Sequence, residues 1–193
     1  MDGYYDYGPV ISLDRHVVLG GYLPEETRMV AYRSAALLGL SAVDIDRNVE
    51  HEAGCSVWDL IWKSGEEAYR RLESKHLQRA LETRPFSLIS LGDGALIDEA
   101  SQTRVQQLSH SVVLDVDLAN CFWRLKGTDR AATDYWHPLY AGPLERIDQV
   151  RPFYQRRRPG MDNVTHRLPL GGTSAHRAVD TLVSLVKGLE TAA

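Results

Sequence analysis

Short apolar runs alternate with longer amphipathic segments along most of the chain. An apolar run at 15–20 ends in two glycines, the pattern at 25–38 predicts a helix that stops at Gly39, and the apolar run at 42–45 predicts a second buried strand. The alternation continues with strands predicted at 87–91, 111–116 and 164–168, and helices at 46–51, 56–63, 65–82, 104–108, 118–125, 144–157 and 174–189. This order predicts a three-layer α/β/α fold with a central parallel sheet of about five strands.

The pattern indicates one domain and two irregular segments. Residues 1–14 are rich in Tyr, Gly and Asp and predict an irregular leader, and 15–193 contain no repeat or linker that would divide the domain. A loop-rich segment at about 127–142 carries Trp136 and His137. A chain of 193 residues suits a single domain of this size.

Composition narrows the class of protein further. The chain is 44% hydrophobic and 25% charged, with a net charge of −4 and no long basic block, which argues against nucleic acid as a main partner. Apolar runs are too short for a membrane span, and the start does not resemble a signal peptide, so we expect a cytoplasmic protein. Cys55 and Cys121 are expected to be reduced thiols, and the histidines form no metal-binding pattern, so no metal is expected.

The turn after the first predicted strand stands where a P-loop kinase has its phosphate loop. That loop has the pattern G-x-x-x-x-G-K-[ST], whose small residues let backbone N–H groups surround a phosphate at a helix N-terminus. Placed without a gap on residues 21–28, the pattern puts its second glycine on Glu26, its lysine on Thr27 and its hydroxyl on Arg28, with Pro24 and Glu25 among the loop residues that should cradle the phosphate. Proline removes a donor, and the carboxylates of Glu25 and Glu26 each oppose a triphosphate by on the order of 1–4 kcal/mol. The sequence predicts that this turn does not hold ATP and that the protein uses no cofactor.

Several motifs follow the predicted elements in a fixed order. They are DID at 44–46, VEHEAGCSVWDLI at 49–61, GEEAYRRLE at 65–73, LGDGA at 91–95, HPLY at 137–140 and RRP at 157–159. Together they resemble the shikimate kinases along nearly the whole chain, where the third motif is G-E-x-x-F-R-x-x-E and the fourth is L-G-G-G-A. The resemblance implies a P-loop NTPase-type fold, with 127–142 as a lid-like segment. A shared fold does not fix a shared function.

The resemblance also implies where a substrate would bind. Asp46 would contact substrate hydroxyls and act as the base, while Arg70 and Arg157 would clamp a substrate carboxylate. Glu73 lies three residues after Arg70 on the same predicted helix face, where it would orient that arginine beside the substrate. From its position alone, Asp46 is equally suited to cap the next helix.

Two departures from the family fall on the substrate side. Gly92 and Gly94 keep the glycines of the turn that touches substrate, but Asp93 replaces the middle one. A carboxylate there would repel an acidic ligand or bind a cationic group, so an amine on the ligand is one interpretation. His137 stands in place of the lid arginine, where a surface histidine is the alternative to an acid/base role.

Three functions are compatible with this pattern. The first is a repurposed enzyme of small-molecule biosynthesis that binds a small acidic metabolite and performs elimination or cyclisation, with Asp46, Asp93 and His137 moving protons. The second is a non-catalytic subunit that stabilises a protein partner or forms an oligomer. The third is a metabolite sensor. The charged residues at 25–28 either replace the lost phosphate-loop chemistry or only repair the start of a helix.

Overall fold

The computed structural model describes residues 11–127, 144–170 and 175–190. These ranges contain five strands, namely β1 (His16–Gly21), β2 (Ala42–Asp44), β3 (Leu88–Ser90), β4 (Ser109–Asp115) and β5 (His166–Pro169). They contain eight α-helices, namely α1 (Pro24–Leu38), α2 (Ile45–Ala53), α3 (Val57–Ser64), α4 (Glu66–Glu82), α5 (Glu99–Leu108), α6 (Leu118–Gly127), α7 (Arg151–Asp162) and α8 (Ala175–Gly188). The predicted three-layer α/β fold is confirmed.

The five strands form one parallel sheet in the order β2-β3-β1-β4-β5. The central strand β1 is buried along its whole length and pairs with β3 and β4, with Val18 opposite Ile89 on one side and Ser111 on the other. Because all strands run the same way, Gly21, Asp44 and the residues after Ser90 meet at one edge of the sheet. A ligand site is expected at that carboxyl edge.

Capping residues set the end of α1 and the start of α5. Gly39 ends α1 with a positive φ of 66°, and its N–H bonds back to the last turn of that helix, as the predicted stop requires. Helix α5 is longer than predicted, because the Asp98 side chain accepts a hydrogen bond from the Ser101 N–H and starts the helix at Glu99. Local capping chemistry therefore sets these boundaries.

The seventh helix differs most from its prediction. It was expected at 144–157, but a short 3₁₀ turn occupies Ile147–Gln149 and α7 runs from Arg151 to Asp162. Pro152 lies in the first turn of α7, where its missing N–H leaves no hydrogen bond unmade. In a helix continuous from 144, the same ring would clash with the carbonyl of Asp148.

Two predicted segments lie largely outside the described residues. The lid-like segment at 127–142 falls there apart from Gly127, as does the leader up to residue 10. The remainder of the leader has no helix or strand, and Ile11 and Leu13 are buried in the core. The boundary of the domain at 14/15 stays a prediction. No helix in the described ranges is long and apolar enough to cross a membrane.

Candidate functional site

The connection between β1 and α1 is only two residues long. Strand β1 ends at Gly21 and α1 begins at Pro24, which leaves Tyr22 and Leu23 between them. Both side chains are buried, and the Tyr22 ring stacks on that of Tyr154 with centroids 4.4 Å apart. The stretch on which an ungapped phosphate loop would fall is therefore the first turns of a helix.

Side chains of the protein bind the charged groups at this helix start. Both carboxylate oxygens of Glu26 accept hydrogen bonds from Arg124 Nη1, at 3.0 and 2.7 Å, and Arg124 Nη2 donates to the Leu170 carbonyl at 2.8 Å. Glu25 lies 3.8 Å from Arg28. These acids in the first turn also suit the helix dipole, which agrees with the interpretation of a repaired helix start.

The residue at the lysine position of an ungapped phosphate loop is buried under β1. Thr27 is 1% exposed, and its Oγ1 donates to the Leu23 carbonyl at 2.9 Å. A Cβ built on Gly21 would lie 2.5 Å from that same Oγ1. The threonine thus fills space beside Gly21, and no cation reaches out from this position.

The two aspartates of the DID motif have different tasks. Asp44 caps α2, since its Oδ1 accepts a hydrogen bond from the Arg47 N–H at 3.3 Å. Asp46 lies in the first turn of α2, is 5% exposed, and points toward α4, where its Oδ1 accepts a hydrogen bond from the Tyr69 hydroxyl at 2.7 Å. The capping role considered for Asp46 therefore belongs to Asp44.

The Tyr69 hydroxyl stands between two buried carboxyl groups. It lies 2.7 Å from Asp46 Oδ1 and 2.9 Å from Glu73 Oε1, yet a phenol has one hydrogen to donate. A proton on one of the carboxyl groups satisfies the second contact with a full hydrogen bond. Burial, with the negative charge of Glu73 beside it, raises the pKa of Asp46 well above its usual value. Burial raises the pKa of Glu73 as well, but Arg70 opposes that shift, so Asp46 is the better holder of the proton.

Three carboxylates surround the guanidinium of Arg70. Its Nη1 donates to Glu73 Oε2 at 2.7 Å, and its Nε and Nη2 donate to Glu66 Oε1 at 3.2 and 3.1 Å. Its Nη2 also lies 3.5 Å from Asp93 Oδ1. The predicted partnership of Glu73 with Arg70 is present in the structure, and Glu66 is an additional partner that sequence reasoning missed.

Arg157 reaches the same site from α7, but it is fully buried. Its side chain is 0% exposed, its Cζ lies 3.3 Å from the centroid of the Phe153 ring, and its Nη2 lies 3.3 Å from Asp93 Oδ1. The structure thus brings together Arg70 and Arg157, as predicted, and Asp93 bridges them. Their role as a clamp for a ligand carboxylate stays a prediction.

The two glycines of the turn after β3 press against this cluster. A Cβ on Gly92 would overlap the Tyr69 hydroxyl and the Glu73 carboxylate and would lie 2.6 Å from Asp46 Oδ1. A Cβ on Gly94 would lie 2.5 Å from Arg70 Cζ. Only glycine allows the backbone of this turn to lie so close to the buried polar groups.

A groove beside the cluster is lined by residues that the motifs did not single out. It has a volume of about 410 Å³, lies between α4 and the start of α5, and is lined in part by Arg70, Arg71, Gly94 and Asp98. Arg156 also lines it and lies 3.5 Å from Glu66, whereas its neighbour Arg157 is buried. Tyr69 could have been noticed in the sequence, because it stands where the motif G-E-x-x-F-R-x-x-E has phenylalanine. Nothing in the sequence pointed to Arg156.

His137 lies outside the described residues, so its predicted acid/base role has no structural counterpart here. Within 11–127, 144–170 and 175–190, no three His, Cys, Asp or Glu side chains are grouped so that they could hold a metal ion.

The parallel sheet with its strand order has an α/β fold of the P-loop NTPase-like type. The family model described as shikimate kinase matches residues 28–187, and the chain belongs to the shikimate kinase family. The shikimate kinase of Rhodococcus jostii (strain RHA1) is 31% identical over 159 residues, covering 80% of this chain and 88% of that protein. The shikimate kinase of Thermobifida fusca (strain YX) is 39% identical over 127 residues, covering 63% of this chain and 69% of that protein.

Solved structures agree with this fold. A shikimate kinase from Acinetobacter baumannii in complex with shikimate has a TM-score of 0.77 at 19% identity, covering 90% of this chain and 93% of that chain. A shikimate kinase from Bacteroides thetaiotaomicron has a TM-score of 0.73 at 20% identity, covering 90% of this chain and 98% of that chain. At these identities the similarity concerns the fold alone.

Proposed function

We propose that this member of the shikimate kinase family does not bind ATP at the β1–α1 connection and transfers no phosphate. The observation that carries the proposal is the length of that connection, because two buried residues between Gly21 and Pro24 leave no loop of N–H groups to surround a phosphate. The charge at the helix start supports it too, since Glu25 and Glu26 stand where a triphosphate would lie. The match to the family model begins at residue 28, after this connection.

The polar cluster on the other side supports a role with a small molecule in biosynthesis. Asp46, Tyr69 and Glu73 form a short hydrogen-bonded chain, in which we propose that one of the two carboxyl groups is protonated. Such a chain can give and take a proton without ATP or a metal, which fits elimination or cyclisation of a small polar metabolite. In this proposal Asp46 is the acid or base and Tyr69 the group that shares its proton.

A non-catalytic subunit is the second candidate, and the internal ion pairs favour it. The guanidinium of Arg70 is surrounded by carboxylates of the chain itself, and Asp93 also pairs with Arg157. Two tryptophans are exposed, Trp62 on α3 at 65% and Trp123 on α6 at 63%, which suits contact with a protein partner or a second copy.

Two measurements test these proposals. Purified protein is mixed with ATP, Mg²⁺ and shikimate, and ADP release is followed beside the Rhodococcus jostii shikimate kinase as the positive control. We expect no ADP release above the background without shikimate, and shikimate-dependent release would overturn the non-kinase proposal. Co-purification from the native host separates the candidates, because a stoichiometric protein partner supports the subunit and its absence supports the enzyme.

A further inference from the structure

Asp93 is the only acidic residue in the turn between β3 and the 3₁₀ turn at Ala95–Ile97. It is 4% exposed and flanked by Gly92 and Gly94. One of its carboxylate oxygens, Oδ1, lies 3.3 Å from Arg157 Nη2 and 3.5 Å from Arg70 Nη2. Two guanidinium groups that come from different helices, α7 and α4, thus converge on a single oxygen atom.

The buried guanidinium group of Arg157 requires a negative partner, and the half-buried Arg70 beside it adds a second positive charge. The Arg157 side chain has no exposure to solvent, and its Nε has no hydrogen-bond partner among the described residues. Water therefore does not compensate its charge, and a carboxylate within ion-pair distance is needed to make the burial tolerable. In this turn Asp93 supplies that carboxylate.

The chain's own carboxylates already match the two cations of the cluster. Arg70 and Arg157 face the carboxylates of Glu66, Glu73 and Asp93, and Asp46 adds no further charge when it is protonated beside Tyr69. An additional ligand carboxylate or phosphate would add one or more uncompensated negative charges in a buried site, which is strongly unfavourable.

We propose that Asp93 is a built-in anion, which occupies between Arg70 and Arg157 the position that an oxygen of an external carboxylate or phosphate would take. Asp93 is therefore a specificity-determining residue. The cluster selects small molecules without a negative charge and rejects anionic ones. This inference rests on the proposed small-molecule site, and it is independent of whether ATP binds at the β1–α1 connection.

Removing the side chain tests this by chemical rescue. Asp93→Ala deletes a group the size of formate, and so it should create a site for formate between the two arginines. We expect formate to raise the midpoint temperature of unfolding of Asp93→Ala by about 3–6 °C at tenfold excess over its dissociation constant, at ionic strength held constant with chloride. Asp93→Asn is the matched control, because its amide fills the space without the charge and should gain no such rise.

The unmodified protein gives a second measurement that does not depend on a variant folding. Formate is titrated into the wild type and followed by amide chemical shifts, and we expect no saturable shifts in the turn at 92–94. Saturable binding there, or a formate response of Asp93→Ala no larger than that of Asp93→Asn, would overturn the inference. Neither readout involves ATP, so failure here is distinct from ADP release with shikimate, which would overturn the proposed function.

Discussion

In the proposed account, the two sides of the candidate site are closed in different ways. On the side of the β1–α1 connection the backbone closes it, because α1 begins at Pro24 and the residues before it are buried in the core. On the side of β2, β3 and α4, the backbone turn with its two glycines is kept, and the side chains of Tyr69 and Asp93 fill the polar positions. A site closed by side chains can be reopened by one substitution, whereas a site closed by a helix cannot.

The largest expected effect comes from the buried ion pair. Arg157→Met removes one partner and leaves the carboxylate of Asp93 with less compensation, so we expect a loss of roughly 3–5 kcal/mol in the free energy of unfolding. Urea unfolding followed by circular dichroism measures it. The matched control is Arg71→Met on α4, whose pair with Glu67 is exposed and should cost about 1 kcal/mol or less. Equal costs for the two variants would show that the Arg157 pair is no more than a surface contact.

The next effect concerns the close approach of the turn to the cluster. Gly92→Ala places a methyl group against Tyr69, Glu73 and Asp46, so we expect the free energy of unfolding to fall by about 1–3 kcal/mol. Gly188→Ala is the matched control, because a Cβ there meets no atom within 4 Å. A Gly92→Ala variant as stable as its control would mean that the turn lies farther from the polar cluster.

The proton shared by Asp46 predicts a pH dependence of stability. Because the folded state raises the pKa of Asp46 above its unfolded value, the stabilisation is complete at pH below the unfolded pKa and is lost as pH rises through the folded pKa. We expect the stability advantage of wild type over Asp46→Asn to fall with rising pH, by at most about 1.4 kcal/mol per pH unit. Urea unfolding of both proteins across the pH range tests this, and an advantage that is constant or grows with pH would contradict a protonated Asp46.

The smallest expected effect distinguishes shape from charge at the β1–α1 connection. If only the carboxylates excluded ATP, Glu25→Gln with Glu26→Gln would admit it. We expect no gain in ATP binding from this double variant, because the helix start and the buried Tyr22 remain. Titration calorimetry measures the result, and nucleotide binding by the variant alone would assign the closure to charge instead.

The sequence was sufficient for the sheet, which depends on local chemistry, whereas the loss of the phosphate loop stays a prediction. Apolar runs alternating with amphipathic ones give the parallel fold, and a proline and two acids within the phosphate-loop pattern predict an altered turn. The start of α7 was missed because Pro152 suits either a loop or a first helical turn, and the choice depends on how the preceding segment packs.

The hydrogen-bond and ion-pair partners of the site residues could not be predicted from local sequence chemistry. The sequence left open whether Asp93 repels an acid or binds a cation, and the cation it meets is the chain's own Arg157, brought by a helix 64 residues away. The replacement of phenylalanine by Tyr69 was visible in the motif, but only the packing of α2 against α4 places its hydroxyl between Asp46 and Glu73. Long-range side-chain contacts decide both outcomes.

Calorimetric titration of Mg-ATP into the wild-type protein, beside the Rhodococcus jostii shikimate kinase under the same conditions, tests the central claim most directly. The account predicts no saturable heat and a dissociation constant weaker than about 1 mM for this protein. Saturable binding of Mg-ATP in the micromolar range, lost when the β1–α1 connection is altered, would contradict it.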